Sequence, residues 1–333
     1  MKNETQTDTE SIESKILAVK ADKDALKISK LLDRDQAACL VKDFYIMQEN
    51  RMRYSQQHKA LEKRSGGAVL STVADYAREQ EDRVAKMLIY WSKEQRMAIW
   101  AMQNVGIGPI IAAGLVAHIN VTMSPHLSSL WAFAGMPGDC EEKKWVKGKK
   151  RPFNAALKKL CFKVGESFVK NQNREGCYYG QLFAKRKALE WERNLNGDFA
   201  AQAQRQLKIK DWSKASTAKL FYEGKMSPTA VRKMLKSDGV PEGVKATHVG
   251  DEVPMLPPAH IHARARRYAV KRFLAHYWIE AYKQHFRTEP PKAYVFEKLG
   301  HAHEDPSPVP SMAKLKVTKT AKSTAQVRAI ERV

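Results

Sequence analysis

The chain has 333 residues, of which 43% are hydrophobic, and its 58 lysine and arginine residues against 36 acids give a net charge of +22. This composition excludes an intrinsically disordered chain, and four cysteines without a CxxC pair exclude a disulfide scaffold and a zinc ribbon. No stretch approaches the roughly 20 apolar residues of a membrane span. We therefore expect a soluble cytoplasmic protein with a polyanionic partner and no membrane contact.

The N-terminal part of the chain predicts a helical arm. Residues 1–30 are polar and weakly patterned, which is typical of a flexible segment. Residues 31–96 contain no proline, and apolar residues recur at helical spacing on both sides of the SGG break at 65–67. The pattern predicts two long helices that form a helical hairpin or coiled-coil arm. Packing or dimerisation is its expected role, so a homodimer through the arm is one candidate assembly.

The stretch NVGIGPIIAAGLVAHI, residues 104–119, interrupts an apolar run with two glycines and a proline. Helical segments on both sides, with Pro109 at the first position of the second helix, predict a turn formed by Gly106, Ile107 and Gly108. Ile107 would point inward, while the following helix N-terminus offers free N–H groups to a phosphate. We interpret the pattern as a helix-hairpin-helix, which binds nucleic-acid backbone without reading bases. A plain helical turn anchored by isoleucine is the alternative.

A one-sided run of basic residues follows. Residues 143–170 contain ten lysine or arginine residues and one acid, Glu166. A solvated face normally mixes its charges, so the run favours contact with DNA or RNA. Trp145 could stack on an unpaired base or anchor its loop to the core. The candidate nucleic-acid contacts are Lys143, Lys144, Lys147, Lys149, Lys150, Arg151, Lys158, Lys159 and Lys163. A helix over NAALKKLCFKVGESFVKN would turn the following residues inward: Leu157, Leu160, Cys161, Val164 and Phe168.

These segments, together with SSLWAFAGM between them, resemble in order and spacing the C-terminal domain of insertion sequence 110 transposases, the DEDD or Piv-invertase group. The similarity covers residues 97–170, and we take 97–175 as a transposase-like domain. It implies DNA binding by a protein of a mobile element or phage. In the family, an N-terminal RuvC-like domain with four metal-binding acids accompanies this domain, which supplies a nucleophilic serine after the aromatic-Ala-Gly turn.

The chain departs from the family at both catalytic places. Before residue 97 there is no run of β-branched residues ending in an acid, as a RuvC-like sheet would need. The stretch MPGDCEEKKWVKGKKRPFNAA has no serine, and Cys140 is its one nucleophile, with no base beside it. We expect DNA binding without recombinase catalysis and without a cofactor. An active recombinase or metal-dependent nuclease, and a structural or RNA-binding assembly factor, are the alternatives.

The rest of the chain predicts further helices. Residues 176–237 read as a helical region, 238–258 as a Gly- and Pro-rich linker, 259–304 as a long basic helix with a histidine-containing loop, and 305–333 as a disordered basic tail. Within the helical region, Ser227 and Pro228 predict the start of a short helix. The long helix has arginines without acids in its first half, which suits bidentate phosphate contacts. Its candidate contacts are Arg264, Arg266, Arg267 and Lys271.

Two HxH pairs raise a metal alternative. The candidate ligands are His260, His262, His301 and His303, with Glu304 or Asp305. In the other interpretation the first pair begins the helix and the second lies on a loop, hydrogen-bonded or facing phosphate. No HExxH motif supports a metal, and we predict none. The fold class that the sequence predicts is all-α: a helical arm or hairpin, then a helix-hairpin-helix DNA-binding domain and further helices.

Overall fold

The computed structural model describes residues 23–65, 68–137, 145–209, 212, 216–240, 253–291 and 306–312. Within these ranges every regular element is helical and no strand occurs, so the predicted all-α fold is confirmed. No helix in the described part of the chain is both long and apolar enough to cross a bilayer.

Two long helices, α1 (Arg34–Ser65) and α2 (Ala68–Glu94), pack along each other as the N-terminal arm. At the base of the arm, Val41 and Phe44 of α1 meet Leu88 and Trp91 of α2 in one apolar cluster. Farther out, the guanidinium of Arg51 on α1 pairs with a buried carboxylate of α2 at 2.5 Å. The arm is therefore attached through its base, where the apolar contacts concentrate.

The next helices connect the arm to the main core, the large apolar cluster that includes Trp100, Leu130, Phe168 and Phe273. They are α3 (Arg96–Met102), α4 (Pro109–His118), a 3₁₀ turn (Val121–Met123) and α5 (Leu127–Phe133). Helix α4 contacts α1, α2 and α3, and also α6 (Ala155–Lys170). Small residues permit this crowding: a Cβ on Gly114 would lie 2.8 Å from the Leu160 side chain. On α6 the five residues predicted to face inward are buried, which confirms that stripe.

The longest buried element is α11 (Pro258–Phe286), which contacts α3, α5, α6 and α7 (Tyr178–Leu195). Its central residues, including Phe273, Tyr277 and Trp278, are buried on several sides of the helix. A helix surrounded by others is apolar around most of its circumference.

A smaller core lies to one side. It is built by the end of α7 together with α8 (Ala200–Ile209), α9 (Thr217–Glu223) and α10 (Pro228–Ser237). Ser227 accepts a hydrogen bond from the backbone N–H of Ala230 at 3.3 Å, and Pro228 is the first helical residue, as predicted. Trp191 and Phe221 are its large buried aromatic residues.

Part of the predicted linker belongs to this smaller core. Leu256 donates its N–H to the Asn194 side chain at 2.8 Å and accepts the Asn194 amide at 2.9 Å, and Met255 is buried beside it. Residues 241–252 lie outside the described residues. The linker prediction is wrong over 253–257, because prolines prevent a helix there without preventing burial of the apolar residues between them.

Part of the predicted disordered tail is also packed. Val309 and Met312 lie against the main core, and the Met312 N–H donates to the buried carboxylate of Glu280 at 2.8 Å. The Met312 carbonyl accepts from the guanidinium of Arg96 at 3.0 Å. The prediction is wrong over 306–312 for the same reason, and residues 313–333 lie outside the described part of the chain.

Candidate nucleic-acid interface

The turn between α3 and α4 depends on its first glycine. Gly106 has a φ of +99°, in the left-handed region that favours glycine. Ile107 is 5% exposed and enters the main core, as predicted. Asn104, which the sequence analysis missed, is buried and donates its amide to the carbonyls of Trp100 and Ala101. The Ile107 N–H donates to the Asn104 carbonyl at 3.0 Å, which closes the turn.

The C-terminal end of α6 holds this turn in place. The Ser167 hydroxyl donates to the Gly106 carbonyl, and a Cβ on Gly106 would lie 3.3 Å from both Ser167 and Phe168. Lys170, one turn farther along α6, is exposed beside this contact. The sequence could not have paired Ser167 with the turn, because 61 residues separate the two partners.

The outer side of the turn is open. Gly108 is the exposed N-cap residue of α4, with φ −85° and ψ 170°, and a Cβ there would meet nothing within 4 Å. The Ala112 N–H donates to the Gly108 carbonyl at 2.9 Å, which begins the helix. In any helix the first-turn N–H groups, here those of Ile110 and Ile111, have no intrahelical acceptor. Unpaired donors of this kind and the positive end of a helix dipole both favour a nearby anionic group.

The basic loop, residues 145–151, presents its cations to solvent. Lys147, Lys149, Lys150 and Arg151 are exposed, and none forms an ion pair with a described residue. Trp145 is 44% exposed and organises its own loop: its indole N–H donates to the Lys149 carbonyl at 2.7 Å. The Arg151 guanidinium lies 5.6 Å from the indole ring centre. Lys143 and Lys144 lie outside the described residues.

The three predicted lysines of α6 face different surroundings. Lys159 pairs with Glu49 of the arm at 2.8 Å, and both side chains are exposed. The Lys163 ammonium lies 4.1 Å from the ring centre of Tyr45, also on the arm. The pKa of Lys163 is lowered mainly by loss of contact with solvent and secondly by repulsion from Lys159. Lys158 is exposed and turns toward the segment after α5. The structure therefore separates Lys158 from the two lysines that contact the arm.

The arginine cluster, residues 264–267 of α11, is largely neutralised by acids from other helices. Arg264 donates to the buried carboxylate of Glu190 at 2.6 Å, and Arg266 pairs with Glu166. Both guanidinium groups also lie over aromatic rings. The sequence interpretation treated these arginines as unpaired, and the structure corrects it: the partners are far away along the chain but close in space.

Arg267 and Lys271 differ from those two arginines. Arg267 is exposed and makes no ion pair within the described ranges. The Lys271 ammonium lies 4.2 Å from the ring centre of Trp131, whose indole N–H donates to the Lys271 carbonyl at 3.1 Å. Of the predicted contacts on α11, Arg267 is therefore the one most accessible to an anionic partner.

A groove of about 200 Å³ joins two basic segments that are distant in the sequence. Lys158 comes from α6 and Arg267 from α11, while Gly135, at the end of the aromatic-Ala-Gly turn, lies between α5 and α6. Gly135 has a φ of +69°, and a Cβ there would lie 2.7 Å from the Lys158 side chain. The groove is lined by Ala134, Gly135, Met136, Lys158, Cys161, Phe162, Arg266, Arg267 and Val270.

The first histidine pair lies at the start of α11. The pKa of His260 is lowered mainly by burial and secondly by repulsion from Arg267. The pKa of His262 is lowered mainly by burial and secondly by repulsion from Lys187. His262 packs edge-on against Phe183, with ring centres 5.1 Å apart. In the described part of the chain no three His, Cys, Asp or Glu side chains come together as metal ligands would. Other residues of the metal and nucleophile alternatives lie outside the described residues: Cys140, His301, His303, Glu304 and Asp305.

The chain matches no protein-family model, no curated protein and no solved structure. The geometry and charge of the described residues are therefore the basis for a functional proposal.

Proposed function

We propose that this protein binds the sugar-phosphate backbone of DNA, as a transposase-like protein of a mobile element or phage, and that it does so without strand chemistry. The turn at residues 104–108 and the N-terminus of α4 receive a phosphate group. The basic loop, residues 145–151, adds affinity that does not depend on sequence. This function is consistent with the net charge of +22.

The observation that carries the proposal is the division of the turn into a fixed inner side and an open outer side. Ile107 and the Ser167 contact hold the backbone, while the exposed Gly108 places no side chain in front of the first turn of α4. A phosphate oxygen can approach such backbone donors only where no side chain intervenes. The exposed cations of the basic loop and Lys170 attract the same chemical group.

Backbone binding predicts a particular solution behaviour. Contacts to phosphate position a protein on nucleic acid and carry no sequence information directly. Each phosphate that a cation neutralises releases counterions, so affinity falls steeply as salt rises. We expect this protein to bind duplexes of unrelated sequence with similar affinity and a strong salt dependence.

The decisive experiment changes Gly108 to aspartate and, as a matched control, to asparagine. Both side chains can cap α4, and their sizes are nearly equal, so both variants should fold at least as well as the parent. Only aspartate puts a negative charge where the phosphate would lie. We expect Gly108→Asp to weaken duplex binding about five- to tenfold relative to Gly108→Asn, as loss of ~1 kcal/mol would.

Binding is measured by fluorescence anisotropy across a salt series, and thermal melting reports folding. Equal duplex affinity of the two folded variants would exclude α4 as the phosphate site. Incubation with Mg²⁺ or Mn²⁺, followed by a denaturing gel, tests the enzyme alternative directly. Strand cleavage that disappears in Cys140→Ala would replace the binding proposal with a recombinase.

A further inference from the structure

Phe162 is an aromatic side chain held outside the core. It is 53% exposed on α6, although the neighbouring Cys161 is buried. A single exposed phenylalanine is ordinary on a protein surface. Phe162 differs because its surroundings are fixed and because it lines the groove described above.

Two neighbours fix the guanidinium of Arg266 over the Phe162 ring. The Arg266 guanidinium carbon lies 4.1 Å from the ring centre, and Glu166, one turn along α6, pairs with the same guanidinium. A Cβ on Gly165 would lie 2.6 Å from Cγ of Arg266, so only glycine permits this close crossing of the two helices. The ion pair and the close packing thus hold Arg266 over one face of the ring, and the residue Phe162 is still 53% exposed.

The groove beside this ring is cationic as well as aromatic. Lys158 and Arg267 line it with Phe162, and both are exposed. Its volume of about 200 Å³ leaves room for one planar ring system. Aromatic faces bind unpaired nucleobases by stacking whatever their sequence, and neighbouring cations hold the adjoining phosphates.

We propose that this groove binds an unpaired nucleobase of a single-stranded nucleic acid, stacked on Phe162, with the adjoining phosphate on Lys158 and Arg267. The site rests on the proposed function, since it presupposes a nucleic-acid partner, and it adds a preference for unpaired bases. It is separate from the turn at residues 104–108: Lys158 and Ser167 are nine positions apart on α6, which corresponds to about 14 Å of helix.

The test compares Phe162→Leu with Phe162→Trp. Leucine keeps an apolar side chain but removes the aromatic face, and tryptophan restores a face. Phe133→Leu on α5 is the matched control, because Phe133 is also exposed, at 40%, but does not line the groove. The ligands are short oligonucleotides of deoxythymidine and of uridine, a duplex of the same length, and a single strand containing 2-aminopurine, whose fluorescence is quenched by stacking.

We expect Phe162→Leu to lose about five- to tenfold affinity for the single strands, with loss of 2-aminopurine quenching, and Phe162→Trp to retain both. Duplex affinity should be unchanged in all three variants. Single-strand affinity of Phe162→Leu equal to the parent, or equal losses for single strand and duplex, would overturn the base site and leave duplex binding intact. Failure of the parent protein to bind any nucleic acid would overturn both proposals. The deoxythymidine and uridine strands distinguish DNA from RNA as the source of the base.

Discussion

The basic loop, residues 145–151, and the arginine cluster, residues 264–267, both appear in the sequence as cations without nearby acids, but they have different partners in the fold. The lysines of the loop stay exposed, and the indole N–H of Trp145 forms a hydrogen bond within the loop. In the cluster, Arg264 and Arg266 pair with Glu190 and Glu166 from two other helices. The comparison shows that a local excess of charge in the sequence becomes an accessible charged surface only where the fold leaves that charge uncompensated.

The largest expected effect concerns stability in the arginine cluster. Arg264→Gln removes a guanidinium that contacts the buried carboxylate of Glu190, whose remaining ion-pair partner among the described residues is Arg186. We expect a loss of about 2 kcal/mol in the free energy of unfolding, below the full cost of leaving a buried charge unpaired. Urea denaturation measures it, and Arg267→Gln at the exposed neighbour is the control. Equal stability of the two variants would mean that the Arg264 pair does not hold the fold.

Changes in the basic loop should alter DNA binding and leave the stability of the fold nearly unchanged. A triple change, Lys147→Gln with Lys149→Gln and Lys150→Gln, removes three exposed cations without a described partner. We expect stability within about 0.5 kcal/mol of the parent. The slope of log affinity for duplex DNA against log salt should decrease by about 2 to 3, since each phosphate contact contributes about 0.9. An unchanged slope in the triple variant would place the phosphate contacts elsewhere.

The smallest expected effect is a pH dependence of stability caused by the two histidines at the start of α11, next to the arginine cluster. Burial and neighbouring cations lower the pKa of both His260 and His262, so the folded state favours their neutral forms. Their contribution to stability is present above the unfolded pKa near 6.5 and is lost as the pH falls through the lower folded value. We expect stability to fall as the pH drops below about 6.5, and a double change, His260→Gln with His262→Gln, to flatten that dependence. Denaturant melts at several pH values test this, and a parent protein equally stable on both sides of this range would contradict it.

Patterns between nearby residues predicted much of the architecture. The inward stripe of α6 and the start of α10 at Ser227 and Pro228 follow from helical spacing and from capping, which act within a few residues. The burial of Ile107 was predicted from the two glycines that flank it. The packed stretches at 253–257 and 306–312 were missed, because their prolines hid apolar residues that find partners only in the folded chain.

The candidate sites were predicted less completely than the fold. The sequence drew attention to Gly106 and Gly108 but could not distinguish them, whereas the structure fixes the first against Ser167 and leaves the second open. Phe162 lies at an outward position of α6, and no pattern in the neighbouring sequence indicates that it could form part of a binding site. Its role in the proposed base site depends on Arg266, 104 positions away along the chain.

The sequence by itself determined the all-α class, the positions of the principal helices and the excess of positive charge, because helical periodicity, capping and composition are local or additive properties. Tertiary structure alone decided which cations are neutralised and which remain exposed. It also brought Lys158, Phe162 and Arg267 to one groove. Charge compensation and close packing depend on distances in space, and a helical protein sets those distances by the way its helices cross.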